Sequence, residues 1–514
     1  MAISVDGRME EIYQGRGVTL HVAPSGIARA RLRAGWRTDA SALAEYGEIH
    51  QTRILGGAPA TLVIDFGEVR ENWQVPGMRR SEAEWAKRAI DGYVRATRRR
   101  SLPLHSRRLS VEEVRAQVTQ MLGAPPLDIT DLADAVLAQA VFQQASDVHI
   151  LPGATQTAVR WRVDGILRDV LQLEGSIGER LVSRIKVLAA LATYEHQIVQ
   201  EGRLTLDLTP PVQMRVTVVP ALHGETVTLR IFDPSRGIIG LDSLGFEPED
   251  LDTFREAVSR PDGMVVLTGP AGAGKTTTLY AALAALSQHR SRGASFSTVE
   301  DPVELDLEFA SQTEVDPDSG LGFADALKSV LRQDPNVIML GEIRDPQTAE
   351  IAVRAGMTGH LLLTTLHTGG AAEVFPRLAE MGVPPFTSTS ALRCIVAQRL
   401  VRVLCECAEV AGPDPGSLAQ VGLTAQDVEG WDLKQPVGCD RCGGTGYLGR
   451  TGVLQVVEVS PELRDLALQD APAHAFAATM AQLEIPSLHE LALKKVQRGI
   501  TTPEEVARVL GGRQ

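Results

Sequence analysis

The chain has 514 residues, 44% hydrophobic and 22% charged, with a formal net charge of -13. This length exceeds what one core holds, at roughly 150 residues per domain, and the acidic balance argues against a general or specific nucleic-acid partner while leaving room for local basic patches. No apolar run approaches the roughly 18 residues that span a bilayer, the first residues (MAISVDGRMEEIYQG) lack the layout of an export signal, and four of five cysteines form two close pairs; the sequence therefore predicts a multidomain, cytoplasmic, metal-ligating protein without a transmembrane helix or disulfide framework.

Residues 1–110 read as a separate N-terminal module. A strand is expected at 60–66 (ATLVIDF) and a helix over 82–99 with Trp85, Ala89, Ile90 and Tyr93 on one face. A basic stretch follows, with Arg95, Arg98, Arg99, Arg100, Arg107 and Arg108 interrupted by Pro103. It reads as an exposed connector, or else as a contact for anionic lipid or an acidic partner. Helical spacing from Ile129 to Ala145, then the strand-like runs ASDVHI, AVRWRVDGIL, QEGRL, MRVTVVP and GETVTLRIF, predict an α+β domain over 127–235. Turn residues make 236–247 a linker. Over 248–403 the apolar runs MVVLTG, FSTVE, NVIML and HLLLTTLH alternate with helical stretches, the α/β pattern of a parallel sheet covered on both faces. Within it SALRCIVAQRL reads as helix-like, with Cys394 a small buried hydrophobe. A cysteine-bearing segment, 404–450, and a helical lobe, 451–514, with helices expected at 461–467 and 487–499, complete the chain.

GPAGAGKT comprises Gly269, Pro270, Ala271, Gly272, Ala273, Gly274, Lys275 and Thr276, with Thr277 next; an apolar strand precedes it and a good helix former follows. Glycines let the loop turn its N–H groups toward phosphate oxygens, and the helix start adds partial positive charge. Lys275 suits the β and γ phosphates, and the Thr276 hydroxyl suits Mg²⁺. ATP with Mg²⁺ is the expected ligand; a Gly-rich structural turn is the bland alternative.

Downstream strands point to hydrolysis. VIML ends in Gly341-Glu342, which places a carboxylate where it can orient Mg²⁺ through water. In TVEDPVE, Glu300 is the general-base candidate, ahead of Glu304 and Asp301; for Asp301 a helix cap before Pro302 is the alternative. His360 and His367, at either end of HLLLTTLH, are candidates to sense the γ-phosphate, with a structural role as the alternative. Cys405 and Cys407, with Cys439 and Cys442, supply four thiolates suited to structural Zn²⁺.

Together GPAGAGKT, TVEDPVE, VIMLGEIRD and TGHLLLTTLHT resemble the Walker A, acidic, Walker B and histidine boxes of the type II secretion and type IV pilus assembly ATPases. The likeness runs over about residues 127–511, through VDGIL, QEGR, HGETVTLRIF, AQRLVRVLC and GCDRCGGTGYLGRTGV. It implies a RecA-like P-loop core behind a PAS-like α+β domain, a homo-hexamer, and ATP between the two domains. Arg203, Arg215 and Arg230 would then approach the phosphates, with an internal salt bridge as the alternative for each. It implies an inner-membrane platform protein as partner, peripheral attachment through it, and the N-terminal module as its binder. Relatives carry two CxxC pairs where this chain begins with CxC. The cysteine lobe and long N-terminal extension favour assembly; a retraction or conjugation-type ATPase and a nucleotide-gated scaffold with little turnover are the alternatives.

Overall fold

The computed structural model describes residues 108–511 except 124–126, 234–236, 290–292 and 317–319, and within 1–107 the seven strands given below and some positions of 80–90. The chain divides into two compact units, Met1–Gln143 with Ser176–Ile185, and Gln144–Gly175 with Lys186–Gln514.

In the first unit, β1 (Glu10–Gly15), β2 (Val18–Ala23), β3 (Gly26–Arg33) and β4 (Arg37–Ala44) form one antiparallel sheet, and β5 (Gln51–Leu55), β6 (Ala60–Asp65) and β7 (Trp73–Met78) another. The strand expected at 60–66 is β6, whose Leu62 and Ile64 share one buried face. Of the helix expected over 82–99, Ala83, Ala86 and Ile90 are helical and buried. Trp85, Ala89, Tyr93 and the connector arginines Arg95, Arg98, Arg99, Arg100 and Arg107 lie outside the described residues. Helices α1 (Val111–Gly123) and α2 (Ile129–Phe142) follow, α2 capped by the Asp128 carboxylate, which accepts from the Thr130 N–H at 2.8 Å.

The second unit opens with β8 (Asp147–Pro152), β9 (Gln156–Val163), β10 (Ile166–Glu174), helix α3 (Gly175–Leu188), which crosses the unit boundary, and β11 (Gln200–Leu206), β12 (Val212–Ala221) and β13 (Gly224–Phe232). Their antiparallel sheet has the order β10-β9-β8-β13-β12-β11. The run AVRWRVDGIL, expected as one strand, is two. Asp164 and Gly165 have φ of 49° and 81°, and this Asp-Gly pair folds β9 back on β10. Burial alternates along β9, with Val159, Trp161 and Val163 on the buried face and Arg160 and Arg162 on the other.

After α4 (Pro248–Ser259) comes β14 (Gly263–Thr268), and then α5 (Lys275–His289), β15 (Phe296–Glu300), β16 (Ser311–Glu314), α6 (Phe323–Val330), β17 (Val337–Leu340), α7 (Pro346–Met357) and β18 (Leu361–Leu366). Helices α8 (Val374–Glu380) and α9 (Pro385–Ala391) lead into β19 (Leu392–Leu404). The sheet order is β16-β15-β17-β18-β14-β19-β22, parallel except for β22 (Tyr447–Glu458). Successive residues of its strands bury on opposite faces: Val266, Ile338, Leu362 and Ile395 with α6 and α7, and Val265, Met339, Leu363 and Val396 with α4 and α5. That two-sided burial makes the strands continuous apolar runs. It also corrects the helix expected at SALRCIVAQRL. From Leu392 this run is β19, because Cys394, Ile395, Val396 and Ala397 are all buried and leave no polar stripe at helical spacing.

The remaining lobe holds the short strands β20 (Glu409–Val410) and β21 (Lys434–Gln435) with α10 (Pro415–Gln420) between them, then α11 (Pro461–Leu468), α12 (Ala473–Gln482), α13 (Leu488–Gln497) and α14 (Pro503–Leu510). Helices α11 and α13 answer the two expected; α12 and α14 were not anticipated. Among the described residues no helix is long and apolar enough to cross a membrane.

Candidate nucleotide site

The loop Gly269–Gly274 leaves the C-terminal end of β14, and α5 starts at Lys275, so the helix N-terminus and loop amides face the mouth where parallel sheets take ligands. Gly269 (φ 147°) and Gly274 (φ 85°) adopt conformations a side chain would strain. A Cβ on Gly269 would also run into the Gln398 carbonyl oxygen. Lys275 is 8% exposed, and its ammonium donates to the Gly269 and Pro270 carbonyls at 2.7 and 3.1 Å. Burial lowers its pKa; Glu342 opposes that shift and Arg399 reinforces it. The Thr278 hydroxyl donates to Gln398 at 2.9 Å, tying α5 to β19. Thr276 and Thr277 sit half-buried at the helix start.

Glu342 follows β17. Its carboxylate is gripped from two sides, by Arg344 Nε at 2.5 Å and His367 Nε2 at 2.7 Å. Burial raises its pKa, but hydrogen bonds from Arg344 and His367 outweigh this and hold the carboxyl below its ordinary range. Arg344 Nη1 also reaches Asp301 at 3.1 Å. No helix follows Pro302, so Asp301 is not a cap; it is the second carboxylate of an Arg344 bridge. His367 closes β18 at the loop edge. His360 precedes the same strand, with its Nδ1 against the Ala355 carbonyl at 3.2 Å. Six strand residues separate the two, about 20 Å at ~3.3 Å per residue. Within this chain His360 therefore lies at the end of the sheet opposite the glycine loop.

Glu300, the last residue of β15, is 2% exposed. The Tyr280 and Thr298 hydroxyls and the Gln312 amide all donate to its carboxylate, which is a satisfied buried acceptor here. Glu304 stands nearby, lining a cavity with Thr277, Tyr280 and Arg450.

The three candidate arginines fall into one cross-strand row. Arg203 opposes Arg215, Arg215 opposes Arg230, Arg230 opposes Asp147, and Asp147 opposes Arg162. Each is paired: Arg203 with Glu314 at 2.5 Å, Arg215 with Glu201 at 2.6 Å, and Arg230 and Arg162 with Asp147 at 3.2 and 3.5 Å. Glu314 belongs to β16, so the first pair joins the two large sheets. Sequence reasoning missed Arg162, although the alternation in WRVDG places it on the arginine face. It also missed Tyr280, Arg344 and Arg399, each of which has one partner distant in sequence: Glu300, Asp301 and Gly369.

Cys405, Cys407, Cys439 and Cys442 converge, their sulfurs all within 4.8 Å of one another. Cys405–Cys439 and Cys439–Cys442 are 3.8 Å apart and Cys407–Cys442 3.9 Å. A tetrahedral zinc with ~2.3 Å Zn–S bonds needs sulfurs about 3.8 Å apart, so the thiols fit the metal, and the single-residue gap of CxC does not keep Cys407 out. Burial raises the Cys442 thiol, but N–H groups of Cys439 and Gly446 and neighbouring thiols bring it down to about 6. Cys394 stands apart in β19, fully buried, its thiol pushed up to about 12 by burial.

The family model described as "Type II/IV secretion system protein" matches residues 126–508. The chain is 42% identical over 379 residues to the "Type IV pilus assembly ATPase PilB" of Acinetobacter baylyi, spanning 73% of this chain and 65% of that protein, just under two thirds of its length. It is 41% identical over 383 residues to "Type II secretion system protein E" of Pseudomonas aeruginosa, spanning 74% and 75%. Among solved structures, the Legionella pneumophila ATPase DotB matches with a TM-score of 0.55 at 21% identity, over 75% of this chain and 96% of that one. The pilus retraction motor PilT with bound ADP matches with a TM-score of 0.50 at 21% identity, over 73% and 96%. At that identity these structures establish a shared fold, that of P-loop secretion ATPases. The sequence matches reach further, and by them the chain belongs to the Type II/IV secretion system protein family, the ATPases of secretion and pilus assembly.

Proposed function

We propose that this chain hydrolyses ATP to power assembly of a type IV pilus or a type II secretion pseudopilus at the cytoplasmic face of a bacterial inner membrane. The observation that carries the reading is the pairing, at one edge of the parallel sheet, of a buried lysine in a glycine loop with a carboxylate clamped in its ionised form. Lys275 and the backbone N–H groups of Gly269 and of Ala271 to Thr277 hold the β and γ phosphates, while the Thr276 hydroxyl and Glu342 would hold Mg²⁺. When bound, that ion neutralises charge on the phosphate oxygens. Arg344 and His367 orient Glu342, and His367 is placed to register the γ-phosphate. Glu300 acts on the attacking water only if its present donors release it. Arg203, Arg215 and Arg230 exchange carboxylates for phosphate when the six-stranded sheet closes on the nucleotide.

The cysteine cluster holds structural Zn²⁺, since four thiolates leave no open position for catalysis. Copies of the chain form a hexamer, and the N-terminal module of residues 1–110 docks on an inner-membrane platform protein. The domain plan is an α+β domain over 127–235, a linker at 236–247, a RecA-like core over 248–403, a zinc segment over 404–450 and a helical lobe over 451–514. Phosphate release by purified protein with Mg²⁺ tests the enzyme. Lys275→Ala should abolish nucleotide binding, and Glu342→Gln should keep binding while lowering kcat by about 100-fold or more. Wild type and Glu342→Gln releasing phosphate at equal, near-zero rates would instead make the chain a nucleotide-gated scaffold.

A further inference from the structure

Arg399 lies at the start of the phosphate cradle and makes no ion pair among the described residues. Strands β14 and β19 run parallel with Thr268 opposite Ala397, so Gln398 and Arg399 flank Gly269 as it leaves the sheet edge. A Cβ on Gly269 would come within 3.1 Å of Arg399 Nη1. The guanidinium donates to two carbonyls, that of Gln398 at 2.9 Å and that of Gly369, in the loop after His367, at 2.6 Å. Arg203, Arg215, Arg230, Arg344 and Arg402 each hold a carboxylate. Arg399 does not. The carboxylate of Glu373 stands near enough to feel its charge but is engaged by the Gly369 N–H at 2.5 Å.

A half-buried guanidinium without a counter-ion has given up water and gained only dipoles in exchange, and most of its five N–H donors remain for another acceptor. Lys275 is in the same position, its ammonium resting on the carbonyl of Gly269, the residue Arg399 overlies. Two poorly neutralised cations thus converge on one loop whose amides already favour an anion. We propose that Arg399 is a phosphate-contacting residue of the nucleotide site, donating from the same chain, beside Lys275, to the terminal phosphates. This rests on the reading that the chain binds ATP. Because Arg399 also holds the Gly369 carbonyl, the contact joins phosphate occupancy to the loop behind His367.

The test is binding of a fluorescent, non-hydrolysable ATP analogue with Mg²⁺ to the purified full-length chain. Arg399→Gln should weaken binding about 10- to 100-fold, the worth of a charge-assisted hydrogen bond, while the nucleotide-free protein melts at the wild-type temperature. Arg399→Lys keeps the charge but loses the fork, and should fall between the two. Wild-type affinity in both variants would overturn the proposal and leave Arg399 a brace for the Gly369 loop. Should the Gln variant fail to fold, the Lys variant decides: a rise in Kd of about threefold or more supports the contact, and an unchanged Kd sinks it. A wild-type chain that takes up no adenine nucleotide sinks the functional reading and this one with it, whereas normal wild-type binding with indifferent variants sinks this one alone.

Discussion

Tyr280 sits in the second turn of the helix that begins at Lys275, and its hydroxyl is a junction. It donates to the buried Glu300 carboxylate and accepts from the Glu304 and Leu305 N–H groups at 3.2 and 3.4 Å. Burial and the charge of Glu300 push the phenol far above its ordinary pKa, so it stays a donor at any working pH. One side chain therefore links the phosphate-loop helix, the acidic box and the segment lining the adjacent cavity. Tyr280→Phe keeps the ring but removes a donor from an enclosed carboxylate and leaves two amides unpaired. The expected cost is about 2–3 kcal/mol, read as a lower midpoint in urea, with kcat reduced more than KM for ATP. An unfolding free energy within about 0.5 kcal/mol of wild type would mean that water replaces the hydroxyl and the junction has no structural weight.

At the scale of elements, legibility followed locality. The phosphate loop could be read because its glycines, lysine and threonine are contiguous, and β14, β15, β17 and β18 because burial on both faces writes a continuous apolar run. The same property hid β19, whose apolar stretch has no alternation to separate a strand from a buried helix. Tyr280 and Arg399 were illegible because their roles come from partners 20 and 30 residues away along the chain. The cysteine lobe lies between these cases: residue type gave the ligands, but only the fold could decide whether the shorter first pair reaches the second. It does, and the convergence of 405–407 with 439–442 fastens a lobe whose own core is a modest cluster around Val401, Leu418, Val453 and Leu491. Purified protein should therefore carry one zinc per chain, and Cys407→Ser should lose most of it and melt earlier, whereas Cys394→Ser should retain full zinc. Full zinc content in Cys407→Ser would rule out the four-thiolate site.

Across the whole second unit, a few polar ties reinforce joins between its parts that buried apolar clusters also make. The Arg203–Glu314 pair links the six-stranded sheet to β16, and the Gly449 N–H donates to Asp164 in the β9–β10 turn at 3.1 Å. Lys495 and Arg498 of the C-terminal lobe hold the Gly245 carbonyl and Glu247 ahead of α4, at 2.8 and 2.6 Å. The most enclosed tie is Glu505, with no exposed side-chain surface, which takes Arg402 of β19 at 2.8 Å and Arg508 at 2.6 Å while the Tyr447 ring stacks 3.9 Å from the Arg402 guanidinium. Burial alone would raise the Glu505 pKa, but hydrogen bonds from Arg508 and Arg402 prevail and depress it below the ordinary 4.5. A depressed carboxyl binds its proton more readily unfolded than folded, so its stabilisation is full above pH 4.5 and drains away as pH falls through the lower, folded value. Glu505→Gln strands two arginines and should cost about 3 kcal/mol at pH 7. Measured by thermal melting, the gap between wild type and Glu505→Gln should narrow steadily from pH 5 to pH 3; a gap of constant size over that range would mean that the ionised carboxylate is not what holds the last helix to the sheet.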